Sequence, residues 1–158
     1  MKSTLIALLV VLGLNTFAQD DIEKVQQAWK KDKKELVRIG MELNTADSVK
    51  FWPIYDKYEA ERQKLGRERI LALNDYADNY FTITNAKADE IINKLFKNEA
   101  ALTKLQQDYY GKVKTAVSAL VAAKFMHVEA YLQSTIRSMI QGALPAIGQL
   151  DSLKVDKM

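Results

Sequence analysis

The sequence predicts an all-α protein, with four long amphipathic helices in an elongated, bent, hairpin-like bundle. Only six of the 158 residues are Gly and two are Pro, well below the average usage of these helix-interrupting residues. Apolar residues recur at spacings of three and four, whereas no long stretch alternates apolar and polar residues as a strand does. We expect an elongated bundle because two of the helices each extend over roughly 45–55 Å.

The N-terminal segment 1–18 is typical of a secretory signal peptide. A positive residue precedes the apolar run 5–14, and small residues follow it. The run is shorter than the ~20 residues that a helix needs to span a bilayer. We therefore expect cleavage after Ala18, a periplasmic location, a single all-α domain over residues 19–147, and a flexible tail over residues 148–158.

The first two helices are predicted over residues 21–42 and 46–81. The apolar seam of the first helix consists of Ile22, Val25, Trp29, Leu36 and Leu43. The second helix contains Pro53, which has no backbone N–H to donate to the preceding turn. A kink is therefore expected in the first turns of the second helix.

The third and fourth helices are predicted over residues 86–116 and 119–142. Asn85 is the expected cap of the third helix. Asp89 is placed in its first turn, where the helix dipole favours a carboxylate. The apolar seam of the third helix is expected to begin at Ile92.

The second and fourth helices begin with matching segments that lie 74 residues apart. The segments are Leu43-Asn44-Thr45-Ala46-Asp47-Ser48-Val49-Lys50-Phe51 and Val117-Ser118-Ala119-Leu120-Val121-Ala122-Ala123-Lys124-Phe125. Each has an aliphatic residue, then a capping residue, and then a helix whose seam starts with Lys-Phe. A capping side chain accepts a hydrogen bond from a free N–H of the first turn, and the aliphatic residue packs on that turn. Asp47 can serve as a polar partner for the first cap, whereas Val121, at the matching position of the second segment, cannot.

On these two helix starts the chain resembles the LTXXQ-motif family, the Spy/CpxP-like periplasmic proteins. In that family a Leu-Thr-x-x-Gln signature opens the second and fourth helices. Here Leu43 and Val117 keep the aliphatic position, and Asn44 and Ser118 keep the polar cap. The resemblance covers residues 21–147 and implies four helices in a bent hairpin. It also implies one of three roles, since family members include ATP-independent periplasmic chaperones, inhibitors of envelope-stress sensor kinases, and metal-responsive sensors.

Several kinds of chemistry are excluded by the residues that the chain lacks. There is no Cys, so a disulfide framework, a thiol nucleophile and a Cys-ligated zinc site are absent. The single His, His127, disfavours a multi-His metal site and is expected to be partly buried. A net charge of +3 is too balanced for a nucleic-acid binder. We therefore predict no catalytic residue, no metal and no cofactor, and metal sensing is the least supported of the three roles.

A basic segment of the first helix is a candidate docking surface. Its cationic residues are Lys30, Lys31, Lys33, Lys34 and Arg38. Such a segment is also typical of a solvated helix face with no further role. As a docking surface it would suit acidic or unfolded polypeptides, or anionic lipid headgroups in a peripheral contact. Trp52 and Tyr55 are further candidate contacts, because one narrow seam does not bury all the aromatic residues beside Phe51.

The fourth helix is poor in charge. Residues 118–147 carry three formal charges, on Lys124, Glu129 and Arg137. A helix this apolar must be covered over nearly its whole circumference. Either it is the central helix of the bundle, or part of its surface meets a second copy in a homodimer.

Three hypotheses of function follow from these features. The first is an exported, ATP-independent, chaperone-like protein that binds unfolded polypeptides through basic and aromatic helical surfaces. Charge would speed the encounter, and weak apolar contacts would hold the client. The second is an accessory protein that docks on the sensor domain of an envelope stress system. The third is a non-catalytic scaffold whose dimer is its function.

Overall fold

The computed structural model describes residues 33–143, with the side chains of residues 33–140. Within this part of the chain there are helices and no strand: α1 over 33–41, α2 over Thr45–Asn79, α3 over Asn85–Ala116 and α4 over Ala119–Ala143. The helices pack against one another, which confirms the predicted all-α bundle. The expected signal peptide, the first half of the first helix and the expected tail lie outside the described residues.

A long antiparallel hairpin of α2 and α3 gives the bundle its elongated shape. These helices have 35 and 32 residues, which corresponds to about 52 and 48 Å. Residues 80–84 form the turn between them, and we term this the distal end. α4 packs on α3, and α1 contacts α2 and α4 through Lys33. The two shorter helices therefore cover the hairpin from the end opposite the turn.

Both predicted helix starts are capped as expected. Asn44 Oδ1 accepts a hydrogen bond from the Asp47 backbone N–H at 2.9 Å, and Asn44 Nδ2 donates to the Asp47 carboxylate at 2.9 Å. At the start of α4, Ser118 Oγ accepts from the Val121 backbone N–H at 3.1 Å. The aliphatic residues before the two caps are partly buried against the core. The matching segments therefore build the same local structure twice.

The cap of α3 differs from the prediction by one residue. Thr84, rather than Asn85, is the capping residue, and its Oγ1 accepts a hydrogen bond from the Lys87 backbone N–H at 3.2 Å. Because the helix begins at Asn85, Asp89 lies beyond the first turn, which contains no acidic residue. Asn and Thr are both good caps, so the sequence alone does not show whether Thr84 or Asn85 caps α3.

The core is centred on aromatic rings from both matched segments. Phe51 and Phe125 hold equivalent positions, are fully buried, and meet edge to face with ring centroids 5.3 Å apart. Tyr58 packs against both Phe125 and Tyr109. The other buried members of this cluster are Val37, Met41, Tyr55, Leu102, Leu105, Val113, Ala122 and Leu132. The internal match thus brings two copies of one helix start together in a single core.

The predicted seam of the first helix, and the predicted start of the seam of the third helix, are each wrong by one residue. The residues that α1 buries are Lys33, Val37 and Met41, whereas Leu36 is exposed. In α3, Ile91 is buried and Ile92 is exposed. Successive side chains on a helix point about 100° apart. A pair of adjacent apolar residues, such as Leu-Val or Ile-Ile, therefore does not show which member faces the core.

Two residues with special backbone properties fit into the helices without interrupting them. α2 is continuous through Pro53, which lies on the exposed side of its first turns, so the expected kink does not break the helix. Gly40 lies where α1 approaches α4 closely, since a Cβ there would be 3.0 Å from Val128 Cγ2. The missing side chain of Gly40 therefore allows α1 to pack tightly on α4.

Candidate functional site

Lys33 is the first residue of the predicted basic surface that the structure describes, and it is buried. Only 2% of this residue is exposed. Its Nζ lies 2.6 Å from Glu59 Oε2 and 2.8 Å from Glu129 Oε1, and Glu129 is itself fully buried. An ammonium group leaves water at a high cost in free energy unless carboxylates take the place of the water. The prediction that Lys33 contacts a client is therefore wrong.

Two further side chains bind the carboxylates that surround this lysine. The Tyr58 hydroxyl donates a hydrogen bond to Glu129 Oε2 at 3.0 Å. Arg62 donates to both oxygens of Glu59, at 2.8 and 2.7 Å. We term Lys33, Tyr58, Glu59, Arg62 and Glu129 the charge cluster. Its two cations balance its two anions, so it joins α1, α2 and α4 without leaving net charge inside the bundle.

Two members of the charge cluster, Glu59 and Tyr58, have pKa values that lie far from neutral pH. Burial acts to raise the pKa of the Glu59 carboxyl, but hydrogen bonds and charge from Arg62 and Lys33 outweigh burial and lower this pKa to about 2. Burial and the nearby Glu129 carboxylate raise the pKa of Tyr58 well above its usual range. Glu59 therefore stays ionised and Tyr58 stays a hydrogen-bond donor at neutral pH, as a structural tie between helices requires.

The aromatic candidates divide between the core and the surface. Tyr55 is 1% exposed and stacks on Phe51 with ring centroids 5.9 Å apart, so the prediction that it contacts a partner is wrong. Trp52 is partly buried and meets Tyr55 edge to face at 5.4 Å. Lys34 Nζ lies 5.4 Å above the Trp52 ring. Trp52 is therefore the aromatic candidate that the structure leaves within reach of a partner.

The remaining basic candidates are exposed but already paired. Lys34 contacts Asp56 at 2.6 Å, and both side chains are more than half exposed. Arg38 donates two hydrogen bonds to Glu35 one turn earlier on α1. Lys30 and Lys31 lie outside the described residues. The described part of the basic segment therefore offers Lys34 and Arg38 as neutralised surface pairs.

A group of exposed apolar side chains lies towards the distal end of the hairpin. Phe81, in the turn, is 94% exposed, and on α3 Phe96 is 68% and Ile92 46% exposed. Ile92 and Phe96 are one turn apart and share a face. Phe96 lies about 17 Å along α3 from the start of that helix. We term Phe81, Ile92 and Phe96 the distal patch. It was not predicted from the sequence, because Ile92 was expected to belong to the buried seam of the third helix.

The role of Glu129 was not predicted, although its position in the sequence indicates a buried ion pair. Glu129 lies between Phe125 and Leu132 at the spacing of the buried stripe of α4, and all three are buried. A single acidic residue on the apolar stripe of a helix needs a buried cation as its partner.

The prediction that His127 is partly buried is wrong, because the structure places this residue on the exposed surface of α4.

Within residues 33–143, no group of three or more His, Asp or Glu side chains is placed to hold a metal ion. None of the described helices combines the length and the apolarity needed to cross a bilayer. No protein-family model, curated protein or solved structure matches the chain. A functional proposal therefore rests on the surfaces of this chain alone.

Proposed function

We propose that the chain is an ATP-independent, chaperone-like protein that binds unfolded polypeptides. The observation that carries this proposal is the distal patch, in which two Phe and one Ile side chain are exposed in the turn of the hairpin and on the adjoining part of α3. Large apolar side chains that a folded protein leaves exposed together mark a contact site for another molecule. Unfolded polypeptides present the complementary apolar segments.

The form of the distal patch favours weak and reversible contacts. Ile92 and Phe96 form a short apolar strip on the surface of α3, and Phe81 extends from the turn. The strip is too narrow to enclose a folded domain. A client segment would bury only a few side chains at a time, and it would leave again without an energy source because each contact contributes little free energy.

A second contact region near the other end of the hairpin supports the same function. Lys34 and Trp52 lie side by side there, with the ammonium group over the indole ring. Because Asp56 already pairs with Lys34, this region offers a client mainly the aromatic surface of Trp52, which suits apolar residues. We propose a periplasmic location, supported by the signal-like segment 1–18, in which a chaperone without nucleotide would operate.

An aggregation assay with purified residues 19–158 tests the proposal. The chain is added at equal concentration to a chemically unfolded client, and light scattering follows aggregation after dilution. The test variant Phe81→Ser/Phe96→Ser is compared with the control Leu120→Ser/Tyr131→Ser, which removes two exposed apolar residues from α4. We expect the unsubstituted chain and the control to suppress aggregation, and the test variant to lose more than half of the suppression.

Three outcomes of this assay contradict the proposal. The first is that the unsubstituted chain fails to suppress aggregation of several unrelated clients. The second is that both variants lose suppression equally, which would show that the distal patch is not the contact site. The third is that the chain ignores unfolded clients but binds one folded domain saturably, which would support an accessory protein docked on a sensor domain.

A further inference from the structure

Lysines recur along the side of α2 that faces solvent beside α3. Lys50, Lys57 and Lys64 follow one another at seven-residue intervals, and all three are exposed. Seven residues are nearly two helical turns, so these side chains lie in one row with about 10 Å between neighbours. The next residue in the row is Leu71, which is 67% exposed.

A second row on α3 lies level with the first. Lys57 and Lys112 line the same shallow groove between the two helices. Leu71 and Lys97 line another groove of this kind, nearer the distal end. Antiparallel helices in contact have axes 8–10 Å apart, so the two rows lie side by side along the hairpin. We term Lys50, Lys57, Lys64, Lys97 and Lys112 the lysine face.

The charge of the lysine face is not neutralised by neighbouring residues. None of its five lysines forms an ion pair with another described residue, in contrast to Lys104 on the same side of α3, which pairs with Asp108 at 3.3 Å. The acidic residues on this face without a cationic partner are Glu61, which accepts a hydrogen bond from Tyr109 at 2.7 Å, and Glu68. The Lys112 ammonium group lies 3.7 Å from the centroid of the Tyr109 ring. Five cations without an ion pair to another described residue therefore face two anions.

We propose that the lysine face docks the protein on an anionic lipid bilayer. Each lysine close to a surface of anionic headgroups is attracted to it, and the attractions of several lysines add when all of them reach the surface together. The lysine face meets this condition because the two packed helices hold its lysines on one side of the hairpin. Leu71 lies on the same side, where its side chain would enter the headgroup layer.

A bilayer fits this arrangement better than an acidic polypeptide does. The lysines form two rows about 10 Å apart, so a single extended chain would reach both rows only with acidic side chains on both of its edges. Lipids in a fluid bilayer move laterally and gather under each lysine without such a pattern. The proposal does not rest on the chaperone-like function, since the distal patch and the lysine face share no residue.

Co-sedimentation with lipid vesicles tests the proposal. The probe vesicles contain phosphatidylglycerol mixed with phosphatidylcholine, and vesicles of phosphatidylcholine alone serve as the uncharged reference. The test variant Lys57→Glu/Lys97→Glu changes one lysine on each helix. The matched control Lys114→Glu/Lys124→Glu makes the same change of net charge outside the lysine face. Circular dichroism confirms that both variants keep their helical content.

We expect binding to the anionic vesicles at low salt, little binding to the uncharged vesicles, and release at high salt because salt screens the attraction. The affinity of the test variant for the anionic vesicles should fall by roughly tenfold or more. The control should bind almost as well as the unsubstituted chain. The proposal is overturned if the anionic vesicles are not bound, or if both variants lose affinity equally. It is also overturned if polyglutamate binds to the lysine face while the vesicles do not.

Discussion

The charge cluster leads to a sharp prediction about the replacement of Lys33 by Met. Met fills nearly the same space as Lys but removes the cation, and it leaves Glu129 buried with only the Tyr58 hydroxyl as a hydrogen-bond donor. Removing one partner of a buried ion pair lowers the free energy of unfolding by about 3 to 5 kcal/mol. We therefore expect Lys33→Met to lower this free energy by an amount in that range.

A second substitution should recover much of the loss. Glu129→Gln removes the matching anion and still offers Tyr58 an acceptor. In the double variant, Glu59 remains paired with Arg62 through its two hydrogen bonds, so the cluster is neutral again. Residues that share one buried network couple by about 0.5 to 3 kcal/mol. The double variant should therefore be more stable than the sum of the two single losses predicts, by about 2 kcal/mol.

Urea unfolding followed by circular dichroism at neutral pH measures these free energies. Lys34→Met is the matched control, because Lys34 is the neighbouring residue and its pair with Asp56 is more than half exposed. Exposed pairs contribute little, so the control should lose less than about 1 kcal/mol. A loss of the same size for Lys33→Met and Lys34→Met, or strict additivity of Lys33→Met and Glu129→Gln, would refute the assignment of Lys33 to a buried cluster.

Three further predictions concern pH, helix caps and the aromatic core. The folded pKa of Glu59, about 2, lies below its ordinary value of 4.5, so its stabilising effect is complete above that ordinary value and is lost as the pH falls towards 2. Urea unfolding between neutral pH and pH 2 should show a loss of about 3 kcal/mol, reduced in Arg62→Met; a flat profile would contradict this. Asn44→Ala and Ser118→Ala should each lower stability by about 1 kcal/mol in thermal unfolding, and unchanged melting temperatures would show that the caps are not needed. Phe125→Ala should lower stability by about 3 to 5 kcal/mol and Phe125→Leu by clearly less, whereas equal losses would argue against a tightly packed ring cluster.

The parts of the fold that depend on neighbouring residues were predictable from the sequence. The capping of α2 by Asn44 and of α4 by Ser118 follows from side chains that reach the backbone three residues away. The burial of Phe51 and Phe125 follows from their place on the first turns of the two helices. Such features involve contacts within one or two turns, and a local pattern contains all the information that they need.

The charge cluster was not predictable in the same way. Lys33 and Glu129 are separated by 96 residues, and nothing near Lys33 distinguishes it from Lys34, which is exposed. Which of two adjacent lysines turns inward depends on how α1 is rotated against α2 and α4. That rotation is set by the packing of the whole bundle, including the close approach at Gly40.

The two proposed surfaces differ in how visible they are in the sequence. The lysine face follows a regular seven-residue spacing on α2, although only the packing of α2 against α3 shows that Lys97 and Lys112 share it. The distal patch depends on whether Ile91 or Ile92 faces the core. The two residues are equally apolar, so the contacts between helices decide between them.

The charge cluster also has a consequence for the order in which the chain completes its fold. Any chain that emerges N-terminus first, from a ribosome or through a membrane, presents Lys33 early and Glu129 96 residues later. Until α4 has emerged, Lys33 can pair only with Glu59, which Arg62 also binds, and the docking face of α1 lacks Glu129 as the second partner of the buried ammonium group. The α2–α3 hairpin, whose contacts are closer in sequence, is therefore free to form before α1 docks. Docking of α1 would be a late step that requires nearly the whole described chain to be present.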